Sequence, residues 1–234
     1  MSNKTVQGAK AVHGSDPQLL IEKITRERVY ASLYWKEKCF GLTAESILDR
    51  AIELTSVGGS FGAQQKPTEF LCLLLKLLQL QPSEEIVLTY IGAEEYKYLR
   101  LLGALYYRFV FPSAKVYRSL EPLLADFRRI RVRQRDGTFT LKRFDELVWG
   151  MLREEKWFDN VMPRLTKRQV LEDLGELETA RLSILESEYI EEEEATEVSA
   201  DAAVDLTEKE PVYADEIEEE NALRAKLGLK PLQR

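Results

Sequence analysis

Residues 68–80, TEFLCLLLKLLQL, constrain the fold of this chain more than any other segment. Thr68 is a good N-cap, and the helix predicted after it is apolar on nearly every side. Such a helix cannot lie on a surface, because it has no polar face to turn towards water. We therefore expect it to run through the core of a domain that is mostly helical.

Further helices are predicted from caps, breakers and apolar residues at helical spacing. Asp16 followed by Pro17 indicates the start of a helix. The apolar side expected for this helix consists of Leu19, Leu20, Ile24 and Tyr30. Other helices are expected over 43–54, 83–91, 94–110 and 113–120, from 122, and over 144–154. A long amphipathic helix is expected from Pro163, with Leu165, Leu171, Leu174, Leu177, Leu182 and Leu185 on its apolar side.

Residues 130–142 follow a period of two instead, which indicates β-strands. Between the two alternating runs stands Asp136-Gly137, the strongest short hairpin signal. A two-residue turn there predicts two cross-strand pairs on one face, Val132 with Leu141 and Gln134 with Phe139. No other segment predicts β structure.

Charge is distributed unevenly along the 234 residues, whose formal net charge is -7. Residues 1–186 hold 28 basic and 25 acidic residues, whereas residues 187–234 hold 5 and 15. The middle of the acidic part has almost no large apolar side chains, which is typical of disorder, and its end regains a helical pattern. We therefore predict an all-α fold: a multi-helix globular domain with one small β-hairpin (1–186), an acidic disordered linker (187–213) and a short C-terminal docking helix (214–234).

The cysteine content and the N-terminal sequence indicate where the chain works. Cys39 and Cys72 cannot form a disulfide framework, which points to a reducing compartment. The first residues lack the apolar stretch of a secretory signal. The most apolar run, 70–80, is shorter than the roughly 20 residues of a membrane span and contains Lys76. We expect a soluble intracellular protein.

The sequence offers little for catalysis. His13 is the single histidine, and with the two cysteines it gives too few ligands for a structural zinc site. It has no evident nucleophile to serve, so we expect a surface or anchoring histidine. In the glycine-rich stretch 58–68, glutamine precedes Lys66 and proline follows it, which favours a close-packed turn over a phosphate-binding loop. We predict no enzyme activity, no catalytic residues, no cofactor and no metal.

A stripe of basic residues on the hairpin is the strongest candidate for a functional surface. Its members are Arg128, Arg129, Arg131, Arg133 and Arg135, with Lys142 and Arg143 across the turn. On an alternating strand, Arg131, Arg133 and Arg135 share one face. Three interpretations are open: contact with nucleic-acid phosphates, contact with an acidic helix of a protein partner, or a charged edge protected from pairing. No aromatic stacking platform is expected beside the stripe.

Four segments resemble the pre-mRNA-splicing factor 38 family in order and spacing. They are YWKEKCFGLTAESILDRAIEL, VGGSFGAQQKPTEFLCLLLKLLQLQP, EYKYLRLLGALYYR and YRSLEPLLADFRRIR, and the resemblance covers about residues 3–178. The family implies a helical domain with a small hairpin in a nuclear, non-enzymatic scaffold of the spliceosome, which arrives with the tri-snRNP and is needed for activation. It implies two partners, a microfibrillar-associated-protein-like splicing factor bound as a single helix and a matrin-type zinc-finger splicing factor. Direct binding of small nuclear RNA through the hairpin is the alternative function.

The segment EIEEENALRAKLGLKPL resembles the Hub-interaction element of the SART family of tri-snRNP proteins. The resemblance implies a helix that docks noncovalently on a ubiquitin-like protein of the Hub class. The apolar positions of the element correspond to Ile217, Leu223, Leu227 and Leu229, and its arginine, which pairs with an acidic residue of the partner, corresponds to Arg224. An apolar stripe with one charge-assisted arginine is a suitable small binding hot spot.

Overall fold

The computed structural model describes residues 3–177, 216–228 and 230. The chain divides into two units, Met1–Thr179 and Ala180–Arg234, and each is described by itself. In chain order the first unit contains a 3-10 turn (Pro17–Leu20), α1 (Lys23–Ala31), a π-helical turn (Trp35–Cys39), α2 (Ala44–Ile52), β1 (Ser60–Phe61), β2 (Lys66–Pro67), α3 (Glu69–Leu80), α4 (Glu84–Gly92), α5 (Lys97–Val110), α6 (Ser113–Leu120), a second 3-10 turn (Glu121–Ala125), β3 (Arg129–Arg133), β4 (Phe139–Arg143), α7 (Phe144–Arg153), β5 (Lys156–Trp157), β6 (Asn160–Val161) and α8 (Arg168–Asp173).

Helix α3 lies at the centre of the first unit, as its sequence predicts. Every side chain from Phe70 to Leu78 is buried, and helices α1, α2 and α5 pack against the helix. The Thr68 hydroxyl caps α3 by accepting from the Leu71 amide at 3.3 Å, and it donates to the Gly58 carbonyl at 2.6 Å. Burial of each leucine contributes about 1.5–3 kcal/mol of transfer free energy, so this helix anchors the core.

The helix predicted after Asp16 is interrupted. Asp16 caps only the 3-10 turn Pro17–Leu20, after which the chain is extended for two residues before α1 begins. The restart changes the helical phase, so Ile21 and Val29 become fully buried. The predicted apolar side is therefore partly wrong: Leu20 and Tyr30 pack on the core, whereas Leu19 and Ile24 are exposed.

Most of the remaining predicted helices are present. Those at 43–54, 83–91, 113–120 and 144–154 correspond to α2, α4, α6 and α7, with ends within two residues. Helix α5 begins three residues later than predicted, and the segment from Pro122 forms a 3-10 turn rather than an α-helix.

The long amphipathic helix predicted from Pro163 is wrong where the structure describes it. Only the six-residue helix α8 forms, and Gly175 then turns the chain with a φ of +71°. Glycine adopts this left-handed conformation without steric cost and so ends helices. Of the predicted apolar side, Leu171 and Leu177 are buried, Leu165 packs on the core, Leu174 is exposed, and Leu182 and Leu185 lie outside the described residues.

The predicted hairpin is present as β3 and β4, but its register is shifted by one residue. The loop has three residues, Arg135 to Gly137, with Gly137 at a φ of +90°, and the Gln134 amide donates to the Thr138 carbonyl at 2.9 Å. A three-residue loop with a left-handed glycine is an alternative to the two-residue turn that the sequence suggests. The observed pairs are Arg131 with Leu141, Val132 with Thr140 and Arg133 with Phe139, so the predicted pairs are wrong.

The prediction of a single β segment is also incomplete. Two short antiparallel pairs, β1 with β2 and β5 with β6, lie elsewhere in the first unit. Val57 forms a parallel bridge to Val132, which places the glycine-rich segment along the outer edge of β3. Pairings of two residues leave almost no periodic signal, which explains why the sequence does not indicate them.

The N-terminal segment packs on the first unit. The Val6 amide donates to the Gln79 carbonyl at 2.9 Å. The Gln81 side chain accepts from the Lys10 amide at 2.7 Å and donates to the Lys10 carbonyl at 2.9 Å. His13 Nε2 lies 3.1 Å from the Phe109 carbonyl oxygen, which confirms the prediction of an anchoring histidine.

The described part of the second unit consists of α9 (Glu216–Lys226) and the turn after it. Helix α9 lies within the range predicted for the C-terminal helix, 214–234, and Gly228 follows it with a φ of +70°. The predicted linker, 187–213, lies outside the described residues. Among the residues that the structure describes, no helix has both the length and the apolar content needed to cross a membrane.

Candidate protein-interaction surface

The core fixes which face of the hairpin carries the arginines. Ile130 and Val132 are completely buried, so the alternate residues of β3 must point away from the core. Arg129 and Arg131 are exposed and Arg133 is half-buried on that outward face. The predicted arginine face is therefore present over β3.

Aromatic rings lie beside the arginines, contrary to the sequence-based expectation. The Arg131 guanidinium carbon lies 3.7 Å from the centre of the Phe139 ring, and that of Arg133 lies 3.5 Å from the Phe61 ring. The Arg143 guanidinium lies 4.7 Å from the Phe127 ring. The shifted register puts Phe139 on the arginine face, because a one-residue slip moves every side chain of a strand to the opposite face. Recognising the three-residue loop would have revealed the contact.

Arg128 is not available as part of the stripe, because it is paired within the chain. Its Nε donates to Asp126 Oδ1 at 2.9 Å, and the same carboxylate accepts from Arg100 Nη1 at 2.9 Å. Burial alone would raise the pKa of Asp126, but the hydrogen bonds from Arg128 and the two positive charges hold it below its usual value. Arg128 therefore has a structural role in closing the segment before β3.

Arg135 is likewise paired, and the glycine-rich segment explains how. Its Nε donates to Asp159 Oδ1 at 2.8 Å, while Asp159 Oδ2 accepts from the Ser60 amide at 2.6 Å. A Cβ at Gly59 would clash with Asp159 Oδ2, and a Cβ at Gly58 would lie 2.7 Å from a backbone oxygen of β3. The glycines thus allow close packing against the hairpin, as predicted. The ion pair of Arg135 with Asp159 fixes the loop of the hairpin to the segment after α7.

The remaining basic residues form the exposed part of the predicted surface. Arg143 has a carboxylate neighbour, Asp145 Oδ1 at 3.2 Å. Within the described part of the chain, Arg129, Arg131 and Lys142 have no ion pair. We call Arg129, Arg131, Lys142 and Arg143, together with the half-buried Arg133, the arginine surface. It is five of the seven residues that the sequence predicts.

The two cysteines are structural, as expected. Both are completely buried, and burial raises the pKa of the Cys39 thiol to about 12 and the pKa of Cys72 further still. A neutral buried thiol is a poor nucleophile. The residues that the structure describes contain no cluster of three or more histidine, cysteine or acidic side chains able to hold a metal ion.

Helix α9 carries the second predicted surface. Leu223 and Leu227 are 62% and 68% exposed, and Arg224 Nη2 lies 3.7 Å from Glu220 Oε1. Ile217 lies within the helix, and Leu229 lies outside the described residues. Of the five predicted side chains, Leu223 and Arg224 lie on the helix and Leu227 lies in the turn directly after it, and the two leucines expose apolar surface that a partner could cover.

Comparison with known proteins gives consistent similarities. A model of the PRP38 family matches residues 10–175. Pre-mRNA-splicing factor 38A of Danio rerio is 50% identical over 197 residues, which are 84% of this chain and 63% of that protein. Pre-mRNA-splicing factor 38A of Homo sapiens is 49% identical over 188 residues, which are 80% of this chain and 60% of that protein. The chain thus spans less than two thirds of the length of these relatives.

A solved structure is also similar. It is a chain in the crystal structure of the Snu23-Prp38-MFAP1(217-258) complex of Chaetomium thermophilum, with a TM-score of 0.72 and 40% sequence identity. The match covers 81% of this chain and 99% of that chain.

Proposed function

Because the chain belongs to the PRP38 family, we propose that it is a non-enzymatic scaffold protein of the spliceosome, needed for pre-mRNA splicing in the nucleus. The observation that carries the proposal is the likeness of the first unit to a chain of a three-protein splicing complex. The buried cysteines and the use of Asp126 and Asp159 in structural pairs fit a protein that binds rather than reacts.

The proposal extends to the partners and the stage of splicing that the resemblance implies. The helical unit would bind a microfibrillar-associated-protein-like factor and a matrin-type zinc-finger factor. The similar crystal structure, which contains Snu23 and MFAP1 with Prp38, supports partners of this kind. The chain would act with the tri-snRNP in the precatalytic spliceosome, before activation.

The second unit would recruit a ubiquitin-like protein of the Hub class. The docking residues would be Ile217, Leu223, Arg224, Leu227 and Leu229. The exposed Leu223 of α9 and the exposed Leu227 directly after it support this role, because an amphipathic helix gains stability when a groove covers its apolar side. In this proposal the chain would have a domain at 1–186, a linker at 187–213 and a docking helix at 214–234. The linker would act as a flexible tether that raises the effective concentration of one partner near the other.

The arginine surface would bind a splicing protein, with direct contact to small nuclear RNA as the second candidate. The exposed aromatic rings beside the arginines favour RNA in one respect, since bases stack on such rings. However, Phe139 and Phe127 each already carry an arginine of the same chain on the ring. This leaves less ring surface for a base, and the structure therefore supports a protein partner better.

A pull-down from nuclear extract tests the scaffold proposal. The intact chain and a version ending at Glu208 would both be used, each with and without RNase and over a series of salt concentrations. We expect both to recover splicing proteins, and only the intact chain to recover the Hub-class protein. Recovery that disappears with RNase and at moderate salt would instead indicate RNA binding, because phosphate contacts weaken steeply with ionic strength.

A matched pair of charge reversals tests the arginine surface in the same assay. Arg131→Glu with Arg133→Glu should reduce recovery of one partner, since both guanidinium groups lie on the outward face. Lys36→Glu with Lys38→Glu gives the same change in net charge at two exposed residues outside the hairpin. Equal recovery by the two double variants would show that the arginine surface has no partner in the extract.

A further inference from the structure

Strand β4 is an open edge. All five of its residues, Phe139–Arg143, are exposed, and within the described part of the chain the strand pairs only with β3. The other edge of β3 is occupied, because the Val57 amide donates to the Arg131 carbonyl at 2.9 Å and the Arg133 amide donates to the Val57 carbonyl at 2.7 Å. A further strand could therefore join this sheet only at β4.

The pairing register shows which backbone groups are available there. In an antiparallel pair, residues opposite each other direct their backbone groups either towards each other or both away. Arg131 and Arg133 direct theirs to Val57, so Leu141 and Phe139, which lie opposite, direct theirs away from β3. The outward amides and carbonyls of these two residues have no hydrogen-bond partner among the described residues.

The side chains around the edge are apolar at its centre and basic around it. Leu141 is 66% exposed and Phe139 is 42% exposed, both on the outward face. Arg131 and Arg143 lie on the same face, and Lys142 is exposed on the other. An edge that only avoids pairing carries charge at its centre, whereas here the two residues with free backbone groups are apolar.

The sign of the charge identifies the occupant. A second copy of this chain would bring the same basic residues against the edge, and like charges on paired strands are destabilising. An acidic segment would instead place carboxylates beside Arg131, Arg143 and Lys142. A helix of the same charge could contact the side chains but would leave the backbone groups of β4 unused.

We propose that β4 binds an extended acidic segment of a protein partner, which adds to the hairpin as a third strand. The segment would alternate apolar residues, packed on Leu141 and Phe139 on the outward face, with carboxylates that point to the other face beside Lys142. Acidic residues at its ends would reach Arg143 and Arg131 on the outward face. This inference rests on the proposed role of the arginine surface in binding a splicing protein, and it specifies the form and chemistry of that partner.

The test uses a labelled peptide of alternating glutamate and valine, titrated against the full chain. Two control peptides accompany it: one with alternate backbone amides methylated, which keeps every charge, and one with lysine in place of glutamate. We expect the first peptide to bind and each control to bind at least roughly tenfold more weakly. For the methylated peptide, tenfold corresponds to the loss of about one net hydrogen bond. For the lysine peptide, repulsion from the basic residues of the hairpin weakens binding. Equal binding by the methylated peptide would overturn strand addition.

Two variants of the edge give the matching test on the protein. Leu141→Pro removes an outward amide without removing a bond to β3, and we expect at least roughly tenfold weaker peptide binding. Leu141→Val keeps the amide and should bind within about threefold of the unchanged chain, since both residues suit an exposed strand. Equal melting temperatures and circular dichroism spectra would show that both variants are folded, and equal peptide binding by both would overturn the proposal.

Competing occupants and failure of the parent proposal are distinguishable. Concentration-dependent dimers that Leu141→Pro abolishes would overturn the proposal in favour of a second copy. Displacement of the peptide by a short oligouridine, at a lower concentration than by unlabelled peptide, would overturn it in favour of RNA. If the peptide fails to bind but reversal of Arg131 and Arg133 still reduces partner recovery from extract, strand addition is wrong and the arginine surface stands. Failure of the unchanged chain to recover any splicing protein would overturn the scaffold itself.

Discussion

At the scale of single residues, Asp126 separates structural arginines from available ones. Its carboxylate is nearly buried and accepts from both Arg100 and Arg128. If Arg128 turned to an external partner, the nearly buried Asp126 carboxylate would lose part of its charge pairing, which is unfavourable away from water. Arg128, which is adjacent to the exposed Arg129 in sequence, therefore contributes to stability rather than to binding.

We expect Asp126→Asn to lower the free energy of unfolding by about 1–3 kcal/mol at neutral pH, because hydrogen bonds to charged groups are lost. Burial opposes ionisation of Asp126, but the hydrogen bonds and charge of its arginines hold its pKa below the usual value. The stabilisation is thus fully present above the unfolded-state pKa of about 3.9 and is lost as pH falls through the lower folded-state pKa. Urea unfolding should show a constant difference between the two proteins at pH 7 and 5 and a smaller one below about pH 4. A difference that does not change with pH would contradict this assignment.

Gly58 gives a second prediction at the residue scale. An alanine there would place its Cβ 2.7 Å from the Arg133 carbonyl oxygen, which is fixed in β3. We expect Gly58→Ala to destabilise the chain by about 1–3 kcal/mol, the usual cost of overpacking. Gly92, at the end of α4, has nothing within 4 Å of such a Cβ, so Gly92→Ala should change stability by less than about 1 kcal/mol. Thermal unfolding of both variants compares them, and similar melting temperatures would show that the contact at Gly58 can relax.

At the scale of secondary-structure elements, the sequence predicts helices better than connections. Thr68 and the leucines after it identify α3, because the N-cap and the apolar pattern both predict a buried helix over the same residues. The break after the 3-10 turn could not be predicted, since it depends on where Ile21 finds space in the core. The end of α8 does have a local signal, Gly175, which the longer leucine pattern obscures. Asp136-Gly137 indicates the hairpin, but it is compatible with a loop of two or of three residues, and the loop length decides the face of Phe139.

Cross-linking tests the register of the hairpin directly. In the observed pairing, Arg131 and Leu141 are opposite each other on the exposed face, where Cα atoms of such a pair lie about 4.5 Å apart. We expect Arg131→Cys with Leu141→Cys to form a disulfide under mild oxidation. The pair that a two-residue turn predicts, Val132→Cys with Leu141→Cys, should stay reduced, since Val132 points into the core. Mass spectrometry of the tryptic fragments reads the result, and cross-linking of the second pair alone would establish the shorter turn.

At the scale of the whole molecule, charge and helical pattern predict a division at residue 186 between a helical domain and an acidic linker, and this boundary stays a prediction. The sequence indicates a helix at α9 because the charges and leucines of that segment are local features, and its docking role is part of the proposed function. The sequence could not predict which arginines of the hairpin are available for binding. Arg128 and Arg135 are paired with Asp126 and Asp159, and only the fold brings these residues together.

Independence of the two units is the last prediction. Arg224 lies on α9 beside the exposed Leu223 and Leu227, and its role in docking would be a charge-assisted hydrogen bond to the Hub-class protein. We expect Arg224→Ala to weaken that interaction by roughly tenfold or more, as for a small hot spot. The same variant should recover the splicing partners of the first unit unchanged, and a chain ending at Glu208 should melt at the same temperature as the intact chain. Calorimetry and binding assays on the three proteins measure both effects. If Arg224→Ala or the truncation also reduced binding by the first unit, the two units would have to be coupled, and a flexible tether would no longer explain how the chain holds two partners together.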